Sequence, residues 1–240
     1  MKLQSYFSQV MTVILGVSVC FSVMSLDKLP VPESLISLET IEGQSLFNKS
    51  KQASFWKLMP YFVTQETLTY CGIASATMVL NASNIPAPVT PQLAPYRIFD
   101  QHNFFTPQVL NVITPTKVGM EGATLKELGA AIATFPVTVK TVYGSEISEE
   151  DFREEAISVI QSTDHFMILN FHRKYIGEAG EGHFSPIAAY DKKTDRFLLL
   201  DVSRYKYPVV WVETSALYQA MRLNDHGEVE RIRGYLVVSS

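Results

Sequence analysis

The chain has 240 residues, of which 47% are hydrophobic and 18% charged, with a net charge of −4. This is enough apolar material for one sizeable globular domain, with two lobes or two domains allowed. No block of Lys and Arg occurs, which argues against nucleic acid or an anionic membrane surface as a partner.

Residues 1–26 carry one charge, Lys2, and are mostly apolar from Val10 to Leu26. They read as a signal peptide or membrane anchor, with a tolerable cleavage site at Ser25. The expected location is exported or membrane-anchored if this segment acts as a signal, and cytoplasmic otherwise. Membrane contact is expected through residues 1–26 alone. Residues 27–54 read as an extended polar lead-in, and residues 61–69 as a loop. From Cys71 to Ala82 the apolar residues Ile73, Ala76, Met78, Val79 and Leu80 fit a mostly buried helix. Pro86, Pro88, Pro91 and Pro95 exclude regular helix in the stretch that follows. Leu125, Leu128, Ile132 and Phe135 recur at helical spacing, and "VTVKTVY" alternates like a strand. Ser148 with Asp151 makes a capping-box-like start, Ile147 and Phe152 can staple it, and a helix follows to about Ile160.

The texture then changes. "HFMILNF", "HFSPIAAY", "RFLLLDV", "YPVVWV" and "GYLVV" read as strands with short connections, "DKKTD" as a turn, and residues 215–222 as a short helix. Helices come first and strands second, so the class is α+β, with the site in a cleft between a helical lobe and an antiparallel sheet lobe.

The chemistry starts from Cys71. The chain has two cysteines, Cys20 and Cys71, and five scattered histidines. Two cysteines make no disulfide framework, and neither a CxxC pair nor an HExxH motif is present, so no resident metal is expected. Cys71 sits where a helix should begin, and unpaired N–H groups there stabilise a thiolate. A buried, inert cysteine is the plainer alternative. Gln65, six residues upstream, could loop back and form an oxyanion hole with the Cys71 N–H, although a glutamine in a loop commonly has no such role. His183 opens one strand and Asp201 closes the next. They lie symmetrically about Lys192, so a hairpin register centred there would pair them. A carboxylate beside an imidazole fixes its tautomer and stabilises the imidazolium. A cross-hairpin salt bridge is the structural alternative.

The order Cys, His, Asp with Gln upstream is that of papain-type enzymes. "YCGIAS", "GHFSPIAAY", "DVSRYKYPVVWV" and "RIRGYLVVS", extended by "YFVTQETLTYCGIASATMVLNA" and "FHRKYIGEAGEGHFSP", resemble the catalytic domain of phytochelatin synthases. The resemblance assigns residues 55–240 to that domain. It implies a papain-like fold and glutathione as substrate, with Cys71 as nucleophile, His183 as its base, Asp201 orienting His183, and Gln65 in the oxyanion hole. Arg233 is expected to hold a glutathione carboxylate, and Asp225 the γ-Glu amine. Asn170 and Arg204 are further substrate-binding candidates, Arg204 equally as an ion-pair partner of Asp201. Cd²⁺ or Zn²⁺ is expected only as a glutathione thiolate complex. A homodimer stays open. Unlike the plant synthases, the sequence carries no cysteine-rich region after this domain, so hydrolysis is expected to outrun transfer. A general papain-like cysteine peptidase and a non-catalytic thiol- or metal-binding protein are the alternatives.

Overall fold

The late strand-like runs are mostly apolar because the sheet they form is covered on both faces where they lie. In a computed structural model that describes residues 28–224, 226–228 and 232–240, the strands are β1 (Ile36–Ser37), β2 (Thr138–Tyr143), β3 (His165–His172), β4 (Gly182–Asp191), β5 (Arg196–Leu199), β6 (Val210–Glu213) and β7 (Gly234–Ser239). They make one sheet in the order β1-β6-β5-β4-β3-β7-β2, with every neighbouring pair antiparallel. Successive residues point to opposite faces. Along β3, Phe166 and Ile168 enter one core while Met167, Leu169 and Phe171 enter the other. Leu236 and Val238 against Tyr235 and Val237 repeat this split along β7.

The helices divide between these faces. α1 (Ile41–Phe47), α2 (Ala53–Leu58), α3 (Cys71–Ala82), α4 (Pro107–Leu110), α5 (Pro115–Glu121) and α6 (Leu125–Ile132) precede β2; α7 (Glu149–Ile160) and α8 (Thr214–Arg222) come later. The first core holds α3, Phe55 and Leu58 of α2, and Leu125, Leu128 and Ile132 of α6. The second holds Phe152, Ala156 and Ile160 of α7 with Leu217 and Met221 of α8. All residues of α3 are buried, as expected of a helix that is apolar all round.

The α+β class is the one expected, and α3, α6, α7 and the five late strands lie close to where the sequence places them. The structure adds a layer, because α7 and α8 cover the far face of the sheet. It also corrects the lead-in. Residues 36–37 pair with β6, and Thr40 caps α1 by accepting the Gly43 N–H at 3.0 Å. Gly43 is required there, since a Cβ would lie 2.1 Å from the Ser37 carbonyl oxygen, and its own carbonyl accepts the Trp211 Nε1–H at 3.1 Å. Residues 28–54 of this stretch are therefore partly helical and belong to the same packed unit. The signal-like segment 1–26, including Cys20, lies outside the described residues. Among the described residues no helix is long and apolar enough to cross a membrane.

Candidate active site

Cys71 is the first residue of α3, after a loop. Tyr70 holds the N-cap position without a side-chain cap, which leaves the positive end of the helix to the Cys71 side chain. α3 is fixed against β4 by the Ser75 hydroxyl, which donates to the Phe184 carbonyl at 3.3 Å. A glycine follows Cys71 because the helix runs close to its neighbours: a Cβ at Gly72 would lie 3.2 Å from Leu128 Cδ2 and 3.3 Å from Phe184 Cδ2. This packing brings Cys71 to His183, the second residue of β4, whose ring stands edge-on to Phe171 at 5.6 Å.

His183 Nε2 lies 2.8 Å from Asp201 Oδ1. The contact is the one the sequence suggests, but a different route makes it. The hairpin pairs Asp191 with Arg196 and Tyr190 with Phe197, slips at a bulge between Ile187 and Ala189, and ends at Ile187 opposite Leu199. The register centred on Lys192 is therefore wrong. Asp191 Oδ2 accepts from both the Thr194 N–H and its hydroxyl at 2.8 Å, and Asp195 turns the chain at φ 50, so the turn sits further along. Asp201 lies beyond β5 and reaches back to the imidazole from the loop. The Ser203 N–H holds it there, donating to Oδ1 at 2.7 Å.

A residue that sequence reasoning missed anchors Asp201. Arg173 Nη2 donates to Asp201 Oδ1 at 3.0 Å and Nη1 lies 2.7 Å from Oδ2. Glu178 also bonds Arg173 Nη1, and all three side chains are buried. Arg173 stands in the quoted "FHRKY" run. No spacing rule joins residues from a loop and from a strand end, so nothing local flagged it. Arg204, the expected ion-pair candidate, stays away from both Asp201 and the cavity. It lies over the Phe62 ring at 4.7 Å and donates to the Phe62 carbonyl at 3.4 Å.

Cys71, His183, Asn170, Arg173, Lys206 and Arg233 line a cavity of about 820 Å³, a size suited to a small-molecule ligand. Asn170 Nδ2 reaches the His183 carbonyl at 3.4 Å. Gln65 is buried beside the Asp201 loop. Its Oε1 accepts the Ser203 hydroxyl at 2.7 Å and its Nε2 donates to the Thr67 carbonyl at 2.6 Å. The amide is thus rigidly held, and Gln65 is not among the residues that line the cavity. Asp225 lies outside the described residues. No group of three or more His, Cys, Asp or Glu suited to a metal ion occurs among the described residues.

The electrostatics favour an ion pair. Burial pushes the Cys71 thiol up, but the charge and hydrogen bond of His183, with backbone groups of Phe184 and Gly72, hold it below its ordinary value. Burial alone would lower His183; the Asp201 charge and that of Cys71 raise it to about 9. Burial opposes ionisation of Asp201 too, yet His183 and Arg173 hold its carboxyl well below the usual range. With Nε2 engaged by Asp201, Nδ1 is the ring nitrogen left for Cys71. The opposite shifts of Cys71 and His183 favour a thiolate beside an imidazolium, backed by a buried carboxylate.

The family model for phytochelatin synthase matches residues 26–235. The chain is 34% identical over 216 residues to glutathione gamma-glutamylcysteinyltransferase 3 of Lotus japonicus, covering 88% of this chain and 43% of the relative. It is 33% identical over 216 residues to glutathione gamma-glutamylcysteinyltransferase 1 of Arabidopsis thaliana, with the same coverage of 88% and 43%. Against glutathione gamma-glutamylcysteinyltransferase of Schizosaccharomyces pombe the figures are 27% over 215 residues, covering 88% and 50%. The chain spans about half the length of the curated relatives it matches. Among solved structures, a fragment of Prevotella intermedia prointerpain A gives a TM-score of 0.42 at 12% identity, covering 79% of this chain and 70% of that one, a likeness too slight to add weight. The family match spans almost the whole described chain and every residue placed at the cavity: this chain belongs to the phytochelatin synthase family.

Proposed function

We propose that this chain cleaves the Cys–Gly bond of glutathione and passes the γ-glutamylcysteinyl group to water or to a second glutathione. The observation that carries the reading is the Cys71–His183–Asp201 row opening on a cavity, in a chain whose relatives are named as glutathione gamma-glutamylcysteinyltransferases.

The Cys71 thiolate attacks the carbonyl carbon of the glutathione cysteine and a C–S bond forms. The Cys71 N–H and the remaining Gln65 amide N–H receive the oxyanion. His183, as imidazolium, gives its proton to the glycine nitrogen as the C–N bond breaks, leaving a thioester and neutral imidazole. The acceptor, a water or the amine of a second glutathione, then loses a proton to His183 and attacks the thioester, and Cys71 leaves as thiolate. Asp201 holds the ring throughout. Arg233 and Asn170 line the cavity; a guanidinium suits a substrate carboxylate, and Asp225 is proposed for the γ-Glu amine. Cd²⁺ or Zn²⁺ would enter with the substrate, as glutathione thiolate complexes.

The test compares substrates. Glycine release from glutathione, with casein left intact, is the expected result. Casein hydrolysis with no glycine released from glutathione would identify a general peptidase instead.

A further inference from the structure

Behind Asp201 sits a second buried carboxylate for which the mechanism above has no use. Glu178 follows a tight turn closed by Gly177 at φ 81, and its N–H bonds the Arg173 carbonyl at 3.1 Å. Its Oε2 bonds Arg173 Nη1, the nitrogen that also lies 2.7 Å from Asp201 Oδ2. Its Oε1 is buried with no hydrogen-bond partner among the described residues. One guanidinium therefore serves two carboxylates, and two of the four oxygens, Glu178 Oε1 and Asp201 Oδ2, have no hydrogen-bond donor among the described residues, Oδ2 keeping only its ion-pair approach to Arg173.

Among the five buried groups themselves the charges do not cancel: Cys71 thiolate, His183 imidazolium, Asp201, Arg173 and ionised Glu178 sum to one negative charge, which the half-buried Lys206 ammonium offsets. The groups facing Glu178 are Arg173 from its own segment, His183 from β4, Asp201 from the loop after β5, and Lys206 further along that loop. Lys206 reaches toward this corner, since a Cβ on Gly180 would lie 2.7 Å from its Nζ. The Tyr207 ring lies under Arg173 at 5.4 Å, and its hydroxyl accepts the Ala179 N–H at 2.8 Å. A buried oxygen without a donor disfavours the carboxylate, and two carboxylates sharing one cation disfavour joint ionisation.

We propose that Glu178 is a positioning residue for the Cys71–His183 pair, sharing the Arg173 guanidinium with Asp201 so that its proton is exchanged in step with theirs. The inference rests on the reading of Cys71 and His183 as the catalytic pair. With Glu178 neutral, Arg173 belongs wholly to Asp201. With Glu178 ionised, Arg173 divides between the two, and both carboxylates then favour a charged imidazole. Burial, opposed by Arg173, raises the Glu178 carboxyl to about 7, below the value of about 9 for His183, so Glu178 ionises before the imidazolium is lost.

The test is alkylation of Cys71 by iodoacetate across pH, which needs no glutathione. Its rate has an acid limb set by thiolate formation and an alkaline limb set by loss of the imidazolium. Glu178→Gln should move the alkaline limb to lower pH, because the charge that supports the imidazolium is gone. It should move the acid limb less, because Glu178 is protonated below about 7 in the parent. Limbs that coincide with the parent's, or that both move equally, overturn the proposal. Should the variant fail to fold, carboxyl ¹³C NMR of the glutamate-labelled parent decides. A glutamate titrating near neutrality, whose midpoint moves when Cys71 is alkylated, is expected, and its absence overturns the proposal. A shifted alkaline limb without glycine release from glutathione would count against the proposed substrate and leave this inference standing.

Discussion

At the residue scale, Cys71, His183 and Asp201 act as a unit in the proposed chemistry, so their losses should not add. Cys71→Ser is expected to abolish glycine release with the fold intact, because serine is not ionised by this imidazole. His183→Ala should cost as much. Asp201→Asn should be milder in rate, and it should move the alkaline limb of kcat/KM down from about 9, since the Asp201 charge is the main group raising His183. These limbs belong to the coupled pair, not to either residue alone. Steady-state rates across pH check all three; an alkaline limb unmoved in Asp201→Asn would detach Asp201 from His183. Arg233 is only half-buried, so Arg233→Ala should cost ~1–2 kcal/mol, about tenfold in kcat/KM. An unchanged value would remove Arg233 from substrate binding. What the sequence carried at this scale was the set Cys71, His183 and Asp201 that the fold brings together, each at the end of a readable element. Arg173 was invisible to it because its partner Asp201 lies across a loop, and Glu178 because its own partner is Arg173; no periodicity marks either contact. Arg204 was misplaced for the same reason: closeness in sequence to Asp201 says nothing of where a long side chain lies down.

At the element scale, the site depends on how closely α3 approaches β4. Gly72→Ala tests this, since the new methyl meets side chains of α6 and β4 at 3.2 and 3.3 Å and must push by a few tenths of an ångström. Alanine favours helix, so the thermal midpoint should change little. Misplacement of Cys71 from His183 should still lower kcat by roughly tenfold. A kcat equal to the parent's would mean that the α3–β4 gap does not set the geometry. α7 supplies the control. Its Ser148 cap, which accepts the Asp151 N–H at 3.1 Å, is on the far face, so Ser148→Ala should cost about 1 kcal/mol of stability and leave kcat/KM alone. Elements with strong local signals were legible: α3, the proline-broken stretch after it, the capped α6 and α7, and the five late strands. The lead-in was not, because α1 and α2 are short and held by tertiary contacts such as Trp211 with Gly43, which outweigh weak local propensity. α4 and α5 went unread although Thr106–Pro107 and Thr114–Pro115 are N-cap and first-turn signals. The hairpin register failed because a bulge and the Asp191 side-chain turn add residues that a symmetric count ignores.

At the scale of the whole molecule, the sheet is buried on both faces, and the reacting groups gather at one end of it. The same burial makes the site a source of acid sensitivity. The Asp201 carboxyl is held below its ordinary value in the folded chain. Its contribution to stability is therefore full above about 3.9, the unfolded value, and is lost as pH falls toward the folded one. Thermal midpoints measured from neutrality down to strongly acid pH should fall less steeply in Asp201→Asn than in the parent, whatever the difference at neutrality. Equal slopes would mean that Asp201 is not held ionised by its neighbours. Membership in the phytochelatin synthase family was legible in the order of several motifs; the three-layer arrangement was not, because apolar runs alone do not say which helix covers which face. The central claim is that Cys71 carries the γ-glutamylcysteinyl group between donor and acceptor. It is tested most directly by intact mass spectrometry of the protein quenched in acid shortly after mixing with glutathione, with peptide mapping of the product. An adduct of γ-glutamylcysteinyl mass on Cys71, absent from Cys71→Ser, is the expected result. Glycine release by the parent with no such adduct on Cys71, or an adduct that persists in Cys71→Ser, would contradict it.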